Sequence, residues 1–341
     1  MTPQPSDIEL HQILLELSQA SPRAAGLRPW GHHEGPTLDM SAWSYIRQYD
    51  PEDLVMTVGA GTRLSTVSET LARESQWLPL NVPDGGDDSI GGAVATQLDG
   101  WYRGGYGPFR DRVLGLRVVT PAFGPIFVGS RVVKNVAGFN LPRLFAGTRG
   151  SLGVITEVTL RVSPRPPVEA LWVHPIAPGE YAHTLDALSA TGATWASLSV
   201  VHSRNTWSLC ALWHGRKEGL EPLAETLGMP TDAGMLPRVG DQPEAVLVAG
   251  AVPRAHLGTL IERWPSSASL QLECQTGAYF GELRTNDEYQ SLKGWMEQIS
   301  GSLRLLKDTQ GTVPPASARD PLWDAIKRHY DPNGCLRDFW G

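Results

Sequence analysis

The sequence predicts an α+β fold in two domains. Three observations carry this. Short alternating strands and amphipathic helices are interleaved without the regular strand–helix alternation of a parallel sheet. Two glycine-crowded stretches interrupt the first half, and a β-α-β-β-α order recurs in the second, which reads as an antiparallel-sheet domain built from two related halves. The 341 residues fit the prior of ~150 residues per domain, and Arg165-Pro166-Pro167 marks the boundary.

Residues 7–20 place Leu10, Ile13, Leu14 and Leu17 on one helical face, with Asp7 as the start signal and Ser21-Pro22 as the stop. A Gly/Pro/His loop follows. Residues 53–58 read as a strand that turns at Gly59-Ala60-Gly61 into a helix from Leu64 to Glu74. Residues 81–110 carry little apolar periodicity and read as a long loop, which is uncommon in a compact domain unless it has a function. A strand pair follows, VLGLRVVTP and GPIFVGSRVV, turning near Phe123-Gly124-Pro125. A second glycine-punctuated stretch holds a short helix, and EVTLRVSP alternates as a strand. Beyond the boundary, strands are expected at EALWVHPI, at TWASLSVVHS and TWSLCALWHG around Arg204-Asn205, and at AVLVAG, SLQLECQ, GAYFGEL and SLRLLKD. Helices are expected at residues 179–190, 219–228, 253–264, 288–299 and 320–330.

Composition excludes several classes. Hydrophobic residues make up 41% of the chain, too many for a disordered polymer. The net charge of -7 repels a phosphate backbone, so no nucleic-acid partner is expected. Cys210, Cys274 and Cys335 are dispersed, form no CxxC, and fit neither a disulfide framework nor a thiolate metal site. The polar start MTPQPSDIELHQ reads as no signal peptide, and no stretch reaches the ~20 apolar residues of a membrane helix. A cytoplasmic location is expected.

Two stretches are candidates for chemistry. In Ser89-Ile90-Gly91-Gly92-Ala93-Val94-Ala95-Thr96, small residues surround paired glycines, so backbone N–H groups can approach an anion closely. Arg103, Arg110 and Arg112 follow. Residues 131–157 carry glycines at 138, 147, 150 and 153. By contrast, VGAGTRL at 58–64 has Leu64 where a dinucleotide fingerprint needs its third glycine, so Gly59 and Gly61 read as turn residues. The adjacent His32-His33 pair points to opposite sides and makes a poor metal site; no metal is expected. His174, His202 and His214 fall in strands of the second domain, where an imidazole can take a proton near neutral pH. Arg143, Arg149 and Arg204 can hold a carboxylate. No constellation has fixed spacing, so no catalytic residue is singled out.

Taken together, IGGAVATQLDG, RGGYGPFRDRVLGLRVV and SRVVKNVAGFNLPRLFAGTRGSLGVITEVTLRVSPRP resemble, in order and spacing, the FAD-binding domain of the vanillyl-alcohol-oxidase type, the PCMH fold. RVVKNVAGFNLPRLFAG is most similar to the small flavin subunits of bacterial glycolate oxidases, and WDAIKRHYDPNGCL resembles their last helix and tail. The resemblance implies a PCMH-type domain of two α+β subdomains over residues 1–166. It implies an antiparallel, ferredoxin-like α+β cap domain over 167–312, and a helix and tail, 313–341, returning to the first domain. It implies FAD as cofactor, with Ser89, Ile90, Gly91, Gly92, Ala95 and Thr96 as a phosphate and flavin loop. The resemblance also implies a cofactor-binding segment at Tyr106, Gly107, Arg110 and Asp111, which match Tyr-Gly-x-x-Arg-Asp and in which Arg110 and Asp111 pair and pin the loop as much as touch the cofactor. Asn135, Val136, Ala137 and Gly138 would line the flavin, and the main chain of Gly153, Val154 and Ile155 would meet the adenine end.

The implied function is that of an FAD-binding subunit oxidising glycolate or another 2-hydroxy acid. Its implied partners are a larger homologous flavin subunit and an iron–sulfur subunit, with no membrane span. Two departures keep a second reading open. The first phosphate loop, Arg23 to Gly31, has Ala24 and Ala25 where glycines are expected, and Pro29 has no N–H to donate. Gly85-Gly86-Asp87-Asp88 also sets carboxylates beside the other loop. The alternative is a flavin-free scaffold subunit that kept the fold.

Overall fold

A computed structural model of the protein describes residues 6–20, 38–80, 88–97, 99–130, 140–227, 245–307 and 321–336. The chain forms two compact units. One comprises Met1–Leu98, Phe109–Arg165 and Val313–Gly341; the other comprises Asp99–Pro108 and Pro166–Thr312. The sequence reading kept residues 99–108 with the first domain, whereas here they pack in the second unit. The glycines explain how. A Cβ on Gly105 would stand 2.7 Å from the Ala196 Cα, so only a bare backbone lets the short helix Arg103–Tyr106 lie against the strand that carries Ala196.

The first unit holds β1 (Ile46–Asp50), β2 (Val55–Gly59), β3 (Gln76–Trp77), β4 (Val113–Thr120), β5 (Gly124–Gly129), β6 (Val154–Arg161) and β7 (Ser163–Pro164). Five of them form an antiparallel sheet in the order β1-β2-β6-β4-β5, and β3 pairs with β7. The central strand β6 is buried along almost its whole length, which is why Val154, Ile155, Val158 and Leu160 read as a continuous apolar run. The helices Leu64–Ala72 and Ile90–Thr96 close the core through Val67, Leu71, Ile90 and Val94. The sequence reading had no strand at Ile46–Asp50. It is an edge strand, exposed at Ile46, Arg47 and Gln48, and carries no apolar alternation. The turn after β4 is Pro121–Phe123, and Gly124 opens β5 with φ +68.

The second unit holds β8 (Val168–Pro175), β9 (Trp195–Ser203), β10 (Thr206–Gly215), β11 (Val246–Ala251), β12 (Ser269–Glu273), β13 (Ala278–Leu283) and β14 (Ser302–Lys307). All seven join one antiparallel sheet in the order β14-β11-β13-β12-β9-β10-β8. The first four, read as fourth, first, third and second in chain order, have the ferredoxin-like arrangement. The order β8-β10-β9 repeats its first three strands. The two halves thus share one sheet, joined edge to edge by β9 and β12. The tight turn Arg204-Asn205 has φ of 50 and 62, which suits a two-residue hairpin between right-twisted strands. The helices Leu257–Arg263 and Asn286–Gln298 cover the core with Leu260, Ile261, Leu292 and Met296.

Candidate functional site

The run expected to be a loop contains a helix, Ile90–Thr96, because Ser89 caps it. The Ser89 Oγ accepts from the Gly92 N–H at 3.1 Å. The start of this helix is pinned to the strand-to-helix turn after β2. The Gly91 N–H donates to the Ala60 carbonyl at 2.8 Å and the Ile90 N–H to that of Thr62 at 2.9 Å. Gly91 is required for this approach, since a Cβ there would stand 2.7 Å from the Ala60 Cβ. The first three helical amides are therefore satisfied within the protein. This corrects the expectation that successive N–H groups of this run reach an anion. What the run offers a ligand is the Ser89 hydroxyl proton and the bare face of Gly92, where, among the described residues, an added Cβ would meet only the Ser89 Oγ.

The C-terminal end of the same helix joins the second glycine-rich stretch. The Gly147 N–H donates to the Val94 carbonyl at 3.0 Å, and the Arg149 N–H to that of Ala95 at 2.9 Å. Gly147, at φ +82, leaves room for Gln97, whose side-chain oxygen would stand 2.9 Å from an added Cβ. Thr96 is buried, and its hydroxyl donates back to the Gly92 carbonyl. Gly153 lies against β4, where a Cβ would be 2.6 Å from the Val118 Cγ1. Val154 and Ile155 turn their side chains into the core, so only their main chain is available to a ligand.

Lys327 was not singled out in the sequence, yet it locks this corner. Its buried Nζ donates to the Ser151 carbonyl at 2.6 Å, to Asp331 Oδ2 at 2.6 Å and to the Leu336 carbonyl at 2.9 Å. Asp331 in turn accepts from the Cys335 and Leu336 amides. The helix Pro321–Tyr330 and its tail are thereby fastened to the turn that precedes Gly153. The i,i+4 spacing was visible in sequence, but only burial separates this pair from an ordinary surface pair.

Asp111 pairs with Arg143 at 2.8 Å and more distantly with Arg110, at 3.8 Å. Tyr106 and Gly107 belong to the second unit. Asn135, Val136, Ala137 and Gly138 lie outside the described residues, as do the Arg23–Gly31 loop, His32, His33, Gly85, Gly86 and Asp87.

Of the three strand histidines, two are accounted for by packing. His202 is buried, bonds the Ala268 carbonyl at 2.6 Å and stacks on Trp207; His174 stacks on Trp172. His214 is different. Its Nδ1 meets the Tyr106 hydroxyl at 2.8 Å, and its Nε2 meets Glu169 Oε2 at 2.7 Å. Arg204 occupies the hairpin turn. Nearby, burial raises the Glu273 carboxyl above its usual range, although it caps the turn at Gln275 and Thr276, and burial lowers the Arg304 guanidinium.

FAD is the cofactor that the resemblance implies, and the described residues fit it at two points. One is the open Gly92 face beside the Ser89 hydroxyl. The other is the glycine-bearing segment 147–153 bonded to the same helix.

Comparison with known proteins agrees. The FAD binding domain family matches residues 20–128. Glycolate oxidase subunit GlcE of Escherichia coli is 44% identical over 133 residues, 39% of this chain and 38% of that protein. The mitochondrial D-lactate dehydrogenase [cytochrome] of Arabidopsis thaliana is 37% identical over 132 residues, 39% of this chain and 23% of that protein. Glycolate oxidase subunit GlcD of Bacillus subtilis is 32% identical over 132 residues, 39% and 28% of the two chains. The matched region is thus well under half the length of each of these relatives. A solved alkyldihydroxyacetonephosphate synthase shares the fold over 98% of this chain and 74% of its own, at TM-score 0.69 and 15% identity. Among the described residues no helix is long and apolar enough to cross a membrane.

Proposed function

We propose that the chain carries an FAD-binding domain of the family that matches residues 20–128 and is the flavin subunit of a glycolate oxidase-like complex that oxidises glycolate or another small 2-hydroxy acid. The names of its relatives support the substrate class. The observation that carries the reading is the junction of the two glycine-rich stretches at the helix Ile90–Thr96, through Val94, Ala95, Gly147 and Arg149.

In this reading Ser89 donates its hydroxyl to a phosphate oxygen, and Gly91 and Gly92 keep the approach free of side chains. Ile90, Ala95 and Thr96 shape the wall, while Gly153, Val154 and Ile155 present main chain. Arg110 and Asp111 pin their loop through Arg143, and Asn135, Val136, Ala137 and Gly138 line the flavin. When bound, FAD supplies the two-electron oxidant for the substrate's α-carbon. The partners in this reading are a larger homologous flavin subunit and an iron–sulfur subunit. The three cysteines of this chain are buried and separate, so the cluster belongs to the partner.

The test is the purified chain itself. Flavin absorbance near ~450 nm, a general property of the cofactor, is the expected outcome. Dye-linked turnover of glycolate and D-lactate is expected only with partner subunits present. A colourless chain that cannot be reconstituted with FAD would leave the scaffold reading. Turnover by the isolated chain near the ~10 per second typical of enzymes would overturn its dependence on a partner.

A further inference from the structure

The turn at residues 147–151, in the first unit, needs holding from outside. Gly147, Arg149 and Gly150 have φ of 82, 51 and 81, and Arg149 is no glycine. A side-chain-bearing residue keeps that conformation only where its surroundings over-determine it. Two holds do so. At the start of the turn, the Gly147 and Arg149 amides donate to the Val94 and Ala95 carbonyls. At its end, the Ser151 carbonyl accepts from the buried Nζ of Lys327, 176 residues away in the chain. The same ammonium bonds the Leu336 carbonyl, and the Leu336 side chain packs in one cluster with Val154. One side chain therefore fixes residues 151–154 twice, by the Ser151 carbonyl and by seating Leu336 against Val154. An ammonium has three donors. Here they go to Ser151, Asp331 and Leu336, so Lys327 acts through the main chain rather than on a ligand.

The main chain held in this way has one open flank. On one side of β6, Val154 pairs with Val119 and Ile155 with Val118 of β4. On the other side, β2 pairs only with residues 157–161, and the Ala60 amide then takes the Thr156 carbonyl. There the chain turns away through Gly59-Ala60-Gly61 toward the helix Leu64–Ala72. Among the described residues no strand runs beside residues 153–155 on that flank. A bare strand edge presents backbone N–H and C=O groups in fixed positions. An adenine carries its own donors and acceptors on its rim, so such an edge can read it.

We propose that Lys327 is the positioning residue for the adenine half of FAD and so sets the preference of this domain for FAD over FMN, which lacks that half. The inference rests on the proposed function for its cofactor and adds the residue that shapes one end of that site. Without the ammonium the Ser151 carbonyl loses its donor, the turn relaxes, and the edge at 153–155 is no longer fixed.

The test sets flavin affinity against stability in the purified chain. Lys327→Met alone strands the Asp331 carboxylate in the interior. The informative variant is therefore Lys327→Met with Asp331→Asn, which removes both charges and regains part of the melting temperature. In it the Kd of FAD is expected to rise by about tenfold or more, the scale of one lost hydrogen bond to a charged group, while the Kd of FMN stays the same. Amide exchange at residues 152–155 of the flavin-free chain is expected to quicken against that of the β4–β5 hairpin. An unchanged Kd of FAD, equal losses for FAD and FMN, or unchanged exchange at 152–155 would each overturn the proposal. A native chain that binds no FAD would sink the proposed function and the proposal together, whereas native binding that ignores the double variant sinks the proposal alone.

Discussion

The two units arrange their polar groups in opposite ways. In the first, the candidate recognition surface is backbone: glycines placed where a Cβ would strike Ala60 or Val118, and a helix whose opening amides are already satisfied. In the second, the polar cluster is side chain, assembled from Tyr106, Glu169 and His214 on three separate elements. The difference teaches where sequence reading succeeds. A backbone site demands glycine at many neighbouring positions and so marks the chain densely. A side-chain cluster needs one residue per element and leaves almost no local trace.

The comparison can be broken most directly at Lys327. Lys327→Met leaves the Asp331 carboxylate buried without its cation and is expected to cost about 3–5 kcal/mol of unfolding free energy. Adding Asp331→Asn should recover part of the loss. A cost below about 1 kcal/mol in urea unfolding would show that the pair does not hold the tail to the Ser151 turn.

The glycines give the next largest effects, and they separate packing from binding. Gly91→Val is expected to cost about 1–3 kcal/mol, because its side chain meets Ala60. Gly92→Asp should leave the fold nearly intact while removing flavin, since its neighbour among the described residues is only the Ser89 hydroxyl and its carboxylate repels a phosphate. Equal flavin content in Gly92→Asp and the native chain would move the site elsewhere. In the second unit, Gly105→Ala should cost a similar 1–3 kcal/mol, ~1 at the low end, by pushing the helix Arg103–Tyr106 off Ala196. Its mark is a changed His214 resonance with flavin content retained.

Smaller effects probe the second unit's interior. Burial pushes the Cys210 and Cys274 thiols up to about 12 each. An aromatic disulfide reagent near neutral pH should label neither until the protein unfolds, and fast labelling of either would show an open sheet. Burial also raises the folded-state Glu273 carboxyl. Its contribution is therefore fully present below the unfolded-state pKa and is lost as pH rises through the folded value. Melting curves from about pH 4 to about pH 7 should favour Glu273→Gln increasingly over the native chain. A difference independent of pH would show that the carboxyl is not strained.

Much of the fold was legible locally. The strands of the second unit and the Arg204-Asn205 hairpin follow from alternation and turn residues, because each is decided within about ten residues of chain. The glycine-crowded stretches stood out as a candidate cofactor site for the same reason. The helix Ile90–Thr96 was not: its sequence has no amphipathic period, and its stability comes from the Ser89 cap and its seat on Ala60 and β6. Tertiary structure alone decided that Tyr106 bonds His214 rather than serving a loop around Arg110. It alone decided that Lys327 and Asp331 are a buried clamp, and that the opening amides of the phosphate run are spent within the protein. Each of these depends on partners 28 to 176 residues apart or on removal from water. Neither chain separation nor burial is written in the local pattern from which a sequence is read.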